Sequence, residues 1–387
     1  MSNIPTFTVL LPAKGRPKLV RDALVSVLEQ SYRDFEVIIS NNGADPAVQN
    51  SIADKLKDPR VRYFEQAKVL PMPEHWEMIS LLASGRYLTV LTDRSVLKQG
   101  ALATIAEIHR TGGSAADIVT WSWDLYYEES KILLPFAGCS RSPVVLESTN
   151  IALDSLRHGK AYPCALPRGL NSSVSLDLVA KIRAHSREAF SPISPDFSFA
   201  YNCLMCHPQL IHIDRALMIS QGLSVSNGGG AYRADASSYV ATLGLHEPIR
   251  YSPIKEMFVE NAIAEDFFAA CHRFGRQDLL ANLDIADLYL KCFIELDEKR
   301  FSGMLRSEHI EKFAHSIEAA LARESPAVQS RVNALCKQPV NFRSGARLFL
   351  KRILGFRRVE QMRPLFLRLR GGKYFDSVLA ASGHRVS

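Results

Sequence analysis

Residues 7–42 read FTVLLPAKGRPKLVRDALVSVLEQSYRDFEVIISNN, and the fold is decided in this stretch. Residues 7–11 are a β-branched and apolar run of strand length, and Pro12 is expected to close it. Over residues 18–30, Leu19, Val20, Ala23, Leu24, Val27 and Leu28 recur at helical spacing, with Pro17 placed for the first turn. A second strand is expected over 35–40, and Asn41-Asn42-Gly43 is a strong turn signal. The same alternation continues outward from there. Helices are expected over 47–56, 74–83 and 100–109, and strands over 61–64, 87–91 and 118–121. Gly85 stops one helix, Gly112-Gly113 closes another, and the strand over 87–91 ends at Thr92-Asp93. Strand–helix alternation with short loops predicts an α/β fold, a mostly parallel sheet covered on both faces by helices. Such sheets bind ligands beyond the C-terminal ends of their strands. Lys14, Gly15 and Arg16, then Asn41 and Asn42, then Asp93, Arg94 and Ser95 stand at those ends.

The remaining sequence divides by texture. Residues 1–125 form the regular α/β part. Residues 126–256 are rich in Pro, Gly and Ser, residues 257–340 read as helices, and residues 341–387 form a basic amphipathic tail. A length of 387 residues with 47% apolar and 22% charged side chains describes about two to three packed globular units. No apolar run reaches about 18 residues, and the N-terminus has no secretion-signal pattern, so a cytoplasmic location is expected. Seven cysteines without framework spacing fit reduced thiols. The net charge of +7 is concentrated in the tail, where eleven Lys and Arg face two acids, Glu360 and Asp376. Because the body is near neutral and the tail is rich in Leu and Phe, a nucleic-acid partner is not expected.

Two segments carry a resemblance. FTVLLPAKGRPKLVRDALVSVLEQSYRDFEVIISNNG (7–43) and LLASGRYLTVLTDRSVLKQGAL (81–102) resemble family 2 glycosyltransferases of the GT-A fold. LEQSYRDFEVII is the most specific piece. The likeness covers roughly the first 110 residues well and the middle of the chain weakly. It implies a nucleotide-sugar donor, with Ala13, Lys14 and Arg16 lying against the base and ribose. Lys14 and Gly15 stand where the family usually carries an aromatic residue and Asn. Asn41 and Asn42 replace the usual acids at the second strand's end, and a neutral amide can still hydrogen-bond a base or ribose. The family holds a divalent cation, Mg²⁺ or Mn²⁺, on a cluster of Asp. Here the run Thr92-Asp93-Arg94-Ser95 has one acid. Two readings stand. Either Asp93 holds the metal with the diphosphate completing its shell, or Arg94, Lys14 or Arg16 supplies the positive charge instead. The resemblance further implies Asp196, in Ser194-Pro195-Asp196-Phe197-Ser198, as the base that deprotonates the acceptor hydroxyl. An Asp before an apolar helix is equally a good N-cap. His75-Trp76 lies where relatives carry a donor-contacting pair; Trp76 is expected in the core, with Glu74 as a helix cap.

Other motifs are weaker. Cys203-Leu204-Met205-Cys206-His207 has haem-attachment spacing, but buried thiols on a helix explain it more simply. His212 with Asp214, and His246 with Glu247, are isolated pairs, and Gly228–Gly230 reads as a lid or acceptor loop. In residues 341–374, arginines interleave with large apolar side chains. These are amphipathic helices suited to an anionic membrane surface, or to packing on the body. The expectation is therefore a glycosyltransferase acting on a glycan or lipid-linked acceptor, in bacterial surface polysaccharide synthesis (capsule or O-antigen), at the inner face of the plasma membrane. The alternatives are a catalytically silent GT-A-like glycan-binding or assembly module and, more remotely, a sugar-nucleotidyltransferase.

Overall fold

The computed structural model describes residues 4–138, 142–157, 164–190, 193–222, 240–302 except 242 and 246, 305, 307–337 and 363–384. Gly228–Gly230, His246 and residues 341–362 of the tail lie outside the described residues.

The strand–helix alternation read from the sequence is present. Strand β1 (Phe7–Ala13) leads to helix α1 (Pro17–Leu28), β2 (Phe35–Asn42) to α2 (Pro46–Ile52), and β3 (Val61–Gln66) to α3 (Met72–Ser80); β4 (Tyr87–Val90) follows. These four strands lie in the order β3-β2-β1-β4 and pair parallel throughout. Both faces are covered, and alternation along β1 sorts its side chains. Phe7, Val9 and Leu11 pack with α1 and with α4 (Ala101–Thr111), whereas Leu10 points to the other core beside Trp76.

The spacing predicts a stop at Pro12, yet β1 runs on to Ala13. Leu10 C=O accepts from Leu91 N–H at 2.8 Å, so Leu10 and, two residues on, Pro12 face the β4 side. Pairing with β4 ends at Leu10, and the missing N–H of Pro12 therefore costs no ladder bond.

A short strand that the sequence reading lacks, β5 (Ser95–Leu97), follows β4. Beyond β4 the sheet turns antiparallel. The next neighbours are β9 (Ser172–Ser175), β6 (Ile118–Tyr127), β7 (Ile132–Leu134) and the C-terminal β11 (Lys373–Tyr374). The long β10 (Gln209–Gln221) runs parallel to β6 and antiparallel to β5 and to β8 (Val144–Glu147). The parallel pairing thus holds where helices connect successive strands.

Helices α5 (Ser148–Leu156), α6 (Leu176–Ser186), α7 (Pro195–Cys206) and α8 (Val259–Arg273) share one apolar core with Leu10, Ile38 and Trp76. After the short α9 (Gln277–Ala281), α10 (Ile285–Ser302), α11 (Ser307–Leu321) and α12 (Pro326–Lys337) extend that core. Glu295 of α10 accepts the N–H groups of Val259 (3.1 Å) and Glu260 (3.2 Å), so a buried carboxylate meets the orphan donors at the start of α8. The chain then returns to its beginning. Helix α13 (Arg363–Leu369) precedes β11, and α14 (Val378–Ser382) buries Val378 and Leu379 against Val25, Val96 and Ile219. None of the described helices is long and apolar enough to cross a membrane.

Candidate active site

The loops at the C-terminal ends of β2, β1 and β4 are joined into one edge. Asn41 and Asn42 are buried, and their amides are engaged within the protein. Asn41 Nδ2 donates to Asp45 C=O (2.9 Å) and to Tyr63 Oη (3.0 Å). Asn42 both donates to Leu70 C=O (2.9 Å) and accepts from Leu70 N–H (2.8 Å), imitating a strand pair. These two residues shape the β2 end. The polar group they present at the next loop is Asp45. One of its oxygens caps α2 at Ala47 N–H (2.9 Å), and a Cβ on Gly15 would stand 4.0 Å from the other. The sequence reading passed over Asp45; its signal was an acid just past the Asn-Asn-Gly turn.

The loop after β1 is bent sharply. Arg16 is a non-glycine residue in the left-handed region, at φ 56°, where it ends the loop and opens α1. Such backbone strain persists only where surrounding contacts impose it. The contact here is ionic: Arg16 Nε lies 2.8 Å from Asp93 Oδ2, tying the β1 loop to the β4 end. Asp93 is 2% exposed, and burial pushes its carboxyl up to about 6 against the pull of Arg16 and Arg94. Lys14 is exposed and near His75. The His75 ring binds Ser40 Oγ at 2.8 Å, and burial, then Lys14, lowers it to about 4, leaving a neutral imidazole at pH 7. Trp76 packs edge-on to Phe190 in the core, while Glu74 is exposed in the first turn of α3.

Arg94 ties the β4 end to β10. Its Nη1 donates to Ser220 Oγ (3.3 Å) and Gln221 C=O (3.2 Å) at the end of β10. Arg168, Asp196, Asp93 and Arg16 all lie within its electrostatic reach. Arg168 is the residue that local sequence gave no sign of. Its guanidinium stacks 4.8 Å from the Trp123 ring centre and 5.5 Å from that of Phe197. The turn that carries it is pinned to β4, because Val90 N–H donates to Gly169 C=O at 3.0 Å. Gly169 has φ +73°, a conformation that a side chain would strain.

Asp196 sits in the first turn of α7, with its own N–H and that of Phe197 beside its carboxylate. Burial raises its pKa; Arg168 and Arg94 oppose the rise. The preceding residue but one, Ser194, is held by a buried carboxylate of α8, since its N–H donates to Asp266 at 3.2 Å. The N-cap position itself falls to Ser194, because Pro195 opens the helix, so Asp196 is a first-turn acid beside two backbone N–H groups and a basic surrounding rather than the cap.

Asp93 is the single acid of the run Thr92–Ser95, and Arg16 stands against its Oδ2. Among the described residues no three His, Cys, Asp or Glu side chains converge as metal ligands. A hard divalent cation needs several oxygen ligands, so this donor set does not fit a cation cage. The remaining metal-like motifs are built into the structure. His212 binds Thr120 Oγ1 through Nδ1 (2.9 Å), and Cys203 is buried in the core with its thiol pushed up by burial.

Fold and site together define an α/β protein of GT-A type whose polar residues gather at the C-terminal ends of β1, β2 and β4. Residues 8–131 match the family model described as Glycosyl transferase family 2. Over 106 residues the chain is 28% identical to the GalNAc(5)-diNAcBac-PP-undecaprenol beta-1,3-glucosyltransferase of Campylobacter jejuni subsp. jejuni serotype O:2. That match takes in 27% of this chain and 34% of the relative, so the chain spans about a third of that relative's length. Among solved structures, S. aureus TarS 1–349 in complex with UDP aligns at a TM-score of 0.50 and 13% identity, over 92% of this chain and 91% of that one. The same protein in complex with UDP-GlcNAc aligns at 0.49 and 14% identity, with the same coverage. The UDP complex bears on the fold alone.

Proposed function

We propose that this chain transfers a sugar from a nucleotide-sugar donor to a glycan or lipid-linked acceptor, in the assembly of a bacterial surface polysaccharide. The observation that carries this reading is the Arg16–Asp93 pair. It locks the β1 loop onto the β4 end, within the family-matched stretch, beside Arg94 and Asp196. In this reading Ala13, Lys14 and Arg16, with Asp45 behind them, contact the base and ribose. Asn41 and Asn42 act by shaping the β2 end. Asp93 and Arg94 face the diphosphate, and Asp196 takes the proton from the acceptor hydroxyl as the hydroxyl attacks the sugar's anomeric carbon. A carboxylate with a raised pKa is a better base than an ordinary one. The Campylobacter relative's lipid-linked substrate supports a lipid-linked acceptor here. Exposed Leu365, Leu369 and Tyr374, interspersed with Arg368, Arg370 and Lys373, support contact with an anionic membrane from its cytoplasmic face.

Incubating the protein with labelled nucleotide-sugars and lipid-extracted or oligosaccharide acceptors tests the proposal. The expected result is a labelled glycan product from one donor. A silent glycan-binding module is the second reading, favoured by the lone acid of the run Thr92–Ser95, where the family resemblance implies a cluster. It would release no sugar, to acceptor or to water, from any donor offered.

A further inference from the structure

The charges at the β4 end run opposite to those of a metal site. Arg16, Arg94 and Arg168 outnumber Asp93 and Asp196 there, and Lys14 lies exposed on the neighbouring loop. Arg168 is close enough to Arg94 to disfavour the Arg94 charge. Both are nevertheless held from behind: Arg94 by Ser220 Oγ and Gln221 C=O, Arg168 by the Trp123 and Phe197 rings. Holding two guanidinium groups together in this way prepares a place for an anion of more than one charge. Guanidinium forks match phosphate oxygens, and arginine stays charged even when partly buried.

A second observation points to the same place. Gln221 is 1% exposed, yet neither its amide N nor its amide O makes a hydrogen bond among the described residues. Its backbone is tied to Arg94 in both directions, with Gln221 N–H donating to Arg94 C=O at 2.9 Å and Arg94 Nη1 donating to Gln221 C=O at 3.2 Å. Buried amides without partners are rare, because each unmet group costs free energy. Gln221 thus adjoins Arg94 through its main chain while its own amide is unmet.

We propose that Arg94 and Arg168, with Gln221 beside them, bind the diphosphate of the donor and carry its charge without a divalent cation. This rests on the nucleotide-sugar reading above and assigns the group that the family resemblance gives to a metal. No covalent step is added: the departing nucleoside diphosphate leaves with its electron pair onto the guanidinium-bound oxygen.

The test is calorimetric titration of the full chain with ADP, CDP, GDP, UDP and dTDP, in excess EDTA and again with Mn²⁺. For the nucleotide that binds, the affinities in the two conditions are expected to agree within about threefold. Arg94→Gln and Arg168→Gln should each weaken it by about tenfold or more. Arg168→Lys, which keeps the charge and the ring contact but not the fork, should fall between and guards against loss of folding. Binding that disappears in EDTA and returns with Mn²⁺ overturns the inference while leaving the transferase reading in place. Binding in EDTA that is indifferent to both arginines overturns the assignment of the site. Failure of every nucleotide in both conditions overturns the transferase reading as well.

Discussion

At the residue scale, two carboxyl groups make different predictions. The Asp93 carboxyl is moved from 3.8 to about 6, chiefly by burial. Between those values the folded chain keeps a proton that the unfolded chain has released, so stability is lost as pH rises across that window. A shift of this size corresponds to about 3 kcal/mol. Asp93→Asn has no carboxyl to titrate. Urea unfolding at pH 4 and pH 7 should therefore show the variant losing less stability than the wild type, by an amount of that order; equal losses would contradict it. At Asp196 the helix-start and base roles can be separated, because an Asn side-chain oxygen can still accept from the first-turn N–H groups but cannot take the acceptor's proton. Asp196→Asn should melt near the wild-type temperature and bind nucleoside diphosphate at least as tightly, while its transfer rate falls by about a hundredfold or more. Because burial raises the Asp196 pKa, the acid limb of the wild-type pH–rate profile should lie above the ordinary carboxylate range.

At the element scale, the motif Ala83-Ser84-Gly85-Arg86-Tyr87 is explained by how closely α3's exit approaches β1. Gly85 N–H donates to Thr8 Oγ1 at 2.9 Å, and a Cβ on Gly85 would stand 2.7 Å from Thr8 N. Main chain cannot yield as a side-chain tip can, so Gly85→Ala should push β4 off β1. The expected cost is about 1–3 kcal/mol, read from the urea midpoint. The buried Glu36 lies beneath this contact. Burial by itself would raise its pKa, but hydrogen bonds from Thr8 (2.7 Å), Arg62 (2.9 Å) and Ser84 (2.8 Å) outweigh burial and hold it low. The strand–helix spacing of this region was legible from the sequence. The demand for glycine at 85 is physical only once β1 is beside it.

For the whole molecule, the return of the C-terminal residues to the first domain is the feature with the largest consequence. Val378 and Leu379 are buried beside Val25 and Val96, and the buried His384 ring contacts Leu97 C=O through Nε2 at 2.9 Å. Burying one aliphatic side chain contributes about 1.5–3 kcal/mol. Deleting residues 363–387 should therefore lower the melting temperature by several degrees, as followed by circular dichroism; an unchanged transition would show that the segment is not needed for stability. Leu365, Leu369 and Tyr374 remain exposed on the same segment, with Arg368, Arg370 and Lys373 among them. Co-sedimentation with phosphatidylserine vesicles is expected, weakening with salt and with Leu369→Glu, whereas purely zwitterionic vesicles should retain little protein.

What the sequence determined by itself was the order of strands and helices through the first third of the chain, and hence which loops share an edge. Hydrophobic period and turn residues are local properties, and neighbouring side chains are enough to set them. The partners of the polar residues on that edge were decided by tertiary structure. Asn41 and Asn42 were legible as polar residues at a strand end, but Tyr63 and Leu70 had to be brought beside them before their amides had a long-range task. Arg168 stands 75 residues from Asp93 in the chain and no local pattern marks it; it reaches the site because Gly169 hydrogen-bonds to the end of β4. Charge acts through space, so whether an edge receives a phosphate by metal or by arginine depends on contacts that distant segments make only after folding.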